Sequence, residues 1–180
     1  MNRRQFLYGT AAVTMPVLSS GCDRDRPAVS IDDSYPVGRF GATSTAEEVT
    51  LGLDLTGKTA IVTGCNSGLG LETMRVLALR GAHVIGTGRT LEKASKACSS
   101  VPGKTTPVAL ELSSLQSVVE CADTIARLDI PIDILVCNAG INTFGELVEL
   151  VNGVEKTFVV NYLGHFVLVN RLMPLMNQAQ

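Results

Sequence analysis

The chain has 180 residues, enough for one domain with a proper core. Hydrophobic residues make up 46% and charged residues 18%, which excludes an extended disordered chain; a net charge of -2 supplies no basic field for nucleic acid. Aromatic residues are 4% and Trp is absent, so the core is built from Val, Leu, Ile and Ala, a mix suited to buried parallel strands under helices.

The chain opens Met1-Asn2-Arg3-Arg4-Gln5-Phe6-Leu7, ahead of a mildly apolar run from Tyr8 to Leu18. Paired arginines before a short apolar segment read as a bacterial export signal, and the run is too short to span a bilayer. Arg3-Arg4-x-Phe6-Leu7 resembles a twin-arginine signal; a Sec signal and an ordinary disordered terminus are the alternatives. Leu18-Ser19-Ser20-Gly21-Cys22 resembles a lipoprotein processing site, which makes Cys22 the candidate for lipidation and membrane anchoring. Residues 1–22 are thus expected to be an address, with the mature protein periplasmic or held at a membrane. Residues 23–52, rich in Asp, Pro, Ser, Thr and Gly, read as a solvated linker.

From Leu53 onward strand and helix signals alternate, and residues 53–180 form the expected folded domain. Thr59–Val62 reads as a buried strand. Gly68–Arg80 reads as a helix, with Leu69, Thr73, Val76, Leu77 and Leu79 on its apolar side. His83–Ile85 is a second strand, and Thr90 caps a helix from Leu91 to Ser99. Pro107–Leu112 is a third strand, and Ser113-Ser114-Leu115-Gln116 has the capping-box pattern that opens a helix to about Leu128. Ile132–Cys137 is a fourth strand, followed by a long helix over Gly153–Met176. Short connections between these elements predict an α/β, Rossmann-type doubly wound parallel sheet of order 3-2-1-4.

Five cysteines, Cys22, Cys65, Cys98, Cys121 and Cys137, include no Cys-x2-Cys pair. Four of them fall in apolar or small-residue stretches and read as buried, reduced thiols. His83 and His165 are the only histidines, so no ligand cluster assembles and no metal is expected.

The first strand leads into Thr63-Gly64-Cys65-Asn66-Ser67-Gly68-Leu69-Gly70 and then a helix. A diphosphate needs backbone N–H groups, a helix N-terminus and no Cβ in the way. Gly64 permits the tight turn off the strand, Gly68 lets the backbone approach the pyrophosphate, and Gly70 allows close helix–strand contact. No Lys-Ser or Lys-Thr pair follows, which excludes a P-loop. An NAD site places an acid at the end of the second strand; here the strand ends Gly86-Thr87-Gly88-Arg89-Thr90, and Arg89 is a suitable clamp for a 2′-phosphate.

The Thr-Gly-x3-Gly-x-Gly spacing resembles the short-chain dehydrogenase/reductase family, and Asn66-Ser67-Gly68 with the later helix looks most like its retinol-dehydrogenase-like branch. The resemblance spans Leu53 to Met176. It implies cofactor contacts along Thr63, Gly64, Asn66, Ser67, Gly68, Leu69 and Gly70, with Arg89 favouring NADP over NAD. It implies that Glu111, where the family usually has Asp, reaches the adenine amino group, with the backbone of Leu112 beside it. Asn138-Ala139-Gly140 resembles the family's Asn-Asn-Ala-Gly motif, with Cys137 in place of the first Asn, beside the adenosine ribose. Asn161-Tyr162-Leu163-Gly164-His165-Phe166 resembles Asn-x2-Gly-x-Phe, whose Asn is the catalytic-tetrad member that holds a water in a proton relay. Tyr162 is not the catalytic tyrosine, since Phe166 rather than Lys stands four residues on, and His165 reads as a packing residue.

The family's chemistry further requires a Ser on the next strand and a Tyr-x3-Lys on the next helix, and Gln180 stands where that strand is due. The sheet is therefore expected to be incomplete on its C-terminal side, and the chain alone inactive. The last helix is apolar nearly all round, which asks for two covering surfaces, one of them a following helix or a partner such as a second copy. Two readings of function stand. One is an NADP-dependent oxidoreductase acting on a small carbonyl or alcohol, of which this is the cofactor-binding N-terminal part. The other is a non-catalytic, exported nucleotide-binding or partner-binding module.

Overall fold

Thr59–Val62 forms β1, the most deeply buried strand, as its unbroken β-branched and small residues dictate. The computed structural model to which it belongs describes residues 38–142 and 149–179. The expected export signal and Cys22 lie outside the described residues.

Helix α1 (Ala46–Val49) falls inside the stretch that reads as linker. A capping box closes it: the Glu48 N–H donates to Thr45 Oγ1 at 3.2 Å, and the Thr45 N–H donates to the Glu48 carboxylate at 2.8 Å. Helix α2 (Gly68–Leu79) follows β1, and its Arg75 together with Arg80, which caps its C-terminus, holds α1 in place. Arg75 pairs with the Glu47 carboxylate at 2.9 Å, and Arg80 donates to the Glu47 carbonyl at 2.6 Å. The end of the apparent linker is thus docked. Composition shows that a segment is polar, but not that two arginines on a later helix will receive it.

The chain continues through β2 (His83–Gly88), α3 (Leu91–Ser99), β3 (Thr105–Ala109), α4 (Leu115–Ala126) and β4 (Ile134–Val136). The four strands pair in parallel in the order β3-β2-β1-β4, so Ile61 of β1 lies beside Ile85 of β2 and Leu135 of β4. This is the predicted Rossmann-type sheet. Pro107 is tolerated because β3 is an edge strand among the described residues. Helix α4 begins one residue later than its sequence pattern: Ser114 is the cap, and Gln116 bonds Glu120 instead of reaching back.

Alternation along the strands divides the core. Ala60, Val62 and Val84 pack with Met74 and Ala78 of α2 and Cys98 of α3. Ile61, Ile85 and Val108 pack on the other face with Val118 and Ile125 of α4 and with Leu168 and Leu172 of the last helix. Each fully buried Ile or Leu here contributes roughly 2 kcal/mol of apolar transfer.

The face of α2 differs from its apolar pattern. Gly70, Met74, Val76 and Ala78 are buried, whereas Leu69 is 82% exposed and Leu79 is also exposed. Small residues turn inward because the helix start must lie against the sheet, which leaves Leu69 standing outward.

The long helix also begins later than expected. Asn152 and Gly153, both with positive φ, turn a short hairpin of β5 (Leu150–Val151) and β6 (Val154–Glu155). The helix then runs as α5 (Lys156–Phe158), a wide π turn (Val159–Leu163) and α6 (Gly164–Met176). Its inner face buries Val160, Leu168, Leu172 and Leu175. Its outer face carries the exposed rings of Phe158, Tyr162 and Phe166, stacked with centroids 5.2 and 6.2 Å apart. Among the described residues no helix is long and apolar enough to cross a membrane.

Candidate nucleotide-binding site

The C-terminal ends of β1, β2, β3 and β4 open into one cleft of about 610 Å³. Its wall begins at the turn off β1, where Gly64 has φ +68° and a Cβ would stand 2.8 Å from the Ala139 Cβ. Gly68, at φ +57°, has open space around it, so conformation rather than room requires glycine there. Gly70 is the reverse: an added Cβ would collide with the Gly64 carbonyl oxygen and Asn138 Nδ2. Ser67, the cap of α2, makes no side-chain bond to the first turn, so the helix offers its N–H groups to an anion.

The loop is held from below. The Cys65 N–H donates to the Thr87 carbonyl at 2.9 Å. Asn138 Nδ2 donates to the carbonyls of Thr63 at 2.9 Å and Gly64 at 3.3 Å, tying the end of β4 to the end of β1. The Ala139 N–H donates to Thr63 Oγ1 at 2.9 Å, and the same hydroxyl meets His165 Nε2 at 2.9 Å. Burial holds the His165 imidazole below its usual range, with only partial opposition from its contact with the Asn161 carbonyl. His165 is therefore a buried, hydrogen-bonded support of the loop.

Of the residues that the sequence assigns to the cofactor, Gly64, Asn66, Ser67, Leu69, Gly70, Arg89, Glu111, Leu112, Asn138, Ala139 and Gly140 line the cleft. Thr63 and Gly68 do not; Thr63 is wholly buried and acts through the bonds just described. Arg89 lies exposed at the end of β2, next to Gly88. Glu111 is engaged locally: its Oε1 accepts from the Ser113 N–H at 3.0 Å and the Ser113 hydroxyl at 2.8 Å.

Asn161 does not line the cleft either. Its Nδ2 donates to the Ile141 carbonyl at 2.8 Å, and its Oδ1 accepts from the Ile141 N–H at 2.9 Å. The amide thus clamps the chain just beyond Gly140 from within the π turn, where the helix widens.

The cleft also takes in Thr87, Gly88, Leu110, Ser113, Ile141, Glu149, Lys156 and Val160, none of which the sequence assigns to the cofactor. Glu149 and Lys156 are paired at 2.7 Å. The Asn152-Gly153 turn between them was the available signal, since two positive-φ residues bring the flanking chain together.

Cys65, Cys98 and Cys121 are buried, and desolvation pushes the thiols of Cys65 and Cys121 up to about 12. Cys137 departs from the expected burial and is exposed. It follows β4, which pairs with β1 alone among the described strands. No group of three or more His, Cys, Asp or Glu stands together among the described residues.

A parallel sheet with helices on both faces, a glycine turn at β1 and a cleft across the strand ends define a dinucleotide-type fold. The family model for short chain dehydrogenase matches residues 58–180, and the chain belongs to that family. It is 41% identical over 161 residues to a human WW domain-containing oxidoreductase, covering 84% of this chain and 38% of that protein. It is 37% identical over 145 residues to the chloroplastic short-chain dehydrogenase TIC 32 A of Brassica napus, covering 78% and 45%. The chain thus spans less than half the length of these relatives. A metagenomic short-chain oxidoreductase in complex with NADP superposes with TM-score 0.60 at 27% identity, covering 67% of this chain and 57% of that one. The Pseudomonas aeruginosa RhlG/NADP active-site complex superposes with TM-score 0.61 at 29% identity, covering 71% and 50%.

Proposed function

We propose that this chain forms the cofactor-binding part of an oxidoreductase that moves hydride between NADP(H) and a small carbonyl or alcohol substrate, with NAD the weaker cofactor. Arg89 carries the reading. It lines the cleft where β2 ends, at the position where an NAD site needs a carboxylate. The two acids on the cleft wall, Glu111 and Glu149, stand after β3 and before β5, not at the end of β2. Two solved relatives that hold NADP support the same choice.

The residues present fit such a cofactor. A diphosphate belongs on the open N–H groups of α2, where Gly64 and Gly70 leave no Cβ in the way. Arg89 would hold the 2′-phosphate, and the apolar Leu112 and Val160 of the cleft lining would suit the base. When bound, the cofactor supplies or accepts the hydride. Asn138 fixes the rim of the cleft, and Asn161 positions the Ile141 backbone at its far wall.

Asn66-Ser67-Gly68 and the late helix favour the retinol-dehydrogenase-like branch. The Arg3-Arg4 segment favours export by the twin-arginine route, which carries folded proteins and so suits one that loads a nucleotide first, with Cys22 as the lipid anchor. The test is titration of the full chain with NADPH and NADH. Tighter binding of NADPH is expected, and Arg89→Ala abolishes the preference. An unchanged ratio removes Arg89 from the site.

A further inference from the structure

The hairpin of β5 and β6 is set by its turn and tied at its base. Asn152 and Gly153 set its turn, and at its base the Lys156 N–H donates to the Glu149 carbonyl at 2.8 Å while Lys156 Nζ meets Glu149 Oε1 at 2.7 Å. Both side chains line the nucleotide cleft. An exposed ion pair of this kind adds little stability, so its place in the cleft, more than its strength, calls for a role.

Its location follows from the helix. Lys156, Val160 and Gly164 succeed one another on one side of it. At Gly164 that side touches the segment after β3 so closely that a Cβ would stand 2.7 Å from the Leu112 carbonyl oxygen. Val160 packs into the same cluster as Leu110 and Leu112. Lys156 lies one turn earlier on that side and lines the cleft together with Glu111, Leu112 and Ser113. The polar group expected to receive the base there is Glu111, and its Oε1 is turned back onto Ser113.

We propose that Glu149 and Lys156 read the edge of the nucleotide base and select adenine; the proposal rests on the NADP reading above. Adenine presents an amino donor beside a ring-nitrogen acceptor. The pair presents a carboxylate acceptor beside an ammonium donor, in an order that the hairpin fixes. Glu149 Oε2 and the remaining N–H groups of Lys156 serve the base while the ion pair persists. Hypoxanthine reverses the edge, with an oxygen acceptor beside a ring N–H donor, and meets the pair in the wrong order.

The test is titration of the full chain with NADPH and with its hypoxanthine analogue. The wild-type chain is expected to bind the analogue about tenfold more weakly, as for loss of hydrogen bonds to charged groups. Lys156→Met and Glu149→Ala each bring the two affinities together, and the exchanged pair Glu149→Lys/Lys156→Glu reverses their order. If the variants weaken both nucleotides equally, the pair only clasps the hairpin and the proposal fails while the NADP reading stands. If the wild-type chain binds NADPH and the analogue alike, it also fails. If neither nucleotide binds, both readings fall.

Discussion

The Thr63 hydroxyl and the His165 imidazole meet at 2.9 Å beneath the glycine loop, joining the end of β1 to α6 across 102 positions of sequence. The ring is buried, and desolvation favours its neutral form. Its folded pKa lies below the ordinary value of 6.5, so the unfolded chain binds the proton more readily. The stability linked to it is complete above pH 6.5 and falls as pH drops from there through the lower folded value. His83, also held down by burial, adds to the same slope. His165→Gln should flatten the loss of stability on the acid side, measured as denaturation midpoint against pH. An unaltered slope would show that His165 titrates alike in both states.

The glycines of the loop should separate by mechanism. Gly68→Ala meets open space and carries only the strain of positive φ, about 1 kcal/mol. Gly70→Ala drives a Cβ into the Gly64 carbonyl and the Asn138 amide, which displaces α2 from the loop. NADPH affinity should fall at least about tenfold in Gly70→Ala and less in Gly68→Ala. Equal losses would mean that crowding at Gly70 does not shape the cradle.

Gly164 lets the last helix lie against Leu112, in the segment after β3. Gly164→Ala gains helix propensity, yet its Cβ would stand 2.7 Å from the Leu112 carbonyl oxygen. Overpacking of this kind costs about 1–3 kcal/mol, so a lower melting temperature is expected. A variant as stable as the parent would show that the contact relaxes freely.

Thiol labelling should single out one of the four cysteines among the described residues. Burial raises the thiols of Cys65, Cys98 and Cys121 and hides them, whereas Cys137 is exposed despite its own upward shift. Of these four Cys137 reacts first, and Cys137→Ser removes that phase. Rapid labelling of Cys65 would mean that the glycine loop opens readily.

Periodicity and punctuation in the sequence determine the strand and helix order, and the spacing from Gly64 to Gly70 determines the cofactor turn. Both are local: a strand, a cap or a positive-φ glycine depends on a few neighbours. The sheet order followed because short connections leave few topologies. Tertiary structure decided the rest. Leu69 faces outward because α2 must touch the sheet through Gly70, and Cys137 is exposed because β4 has one neighbour among the described strands. Lys156 enters the cleft because a hairpin and a helix face carry it there, and Asn161 reaches Ile141 in place of the cleft. Each of these depends on which distant residue arrives opposite, and pairing across tens of positions leaves no mark in either segment alone.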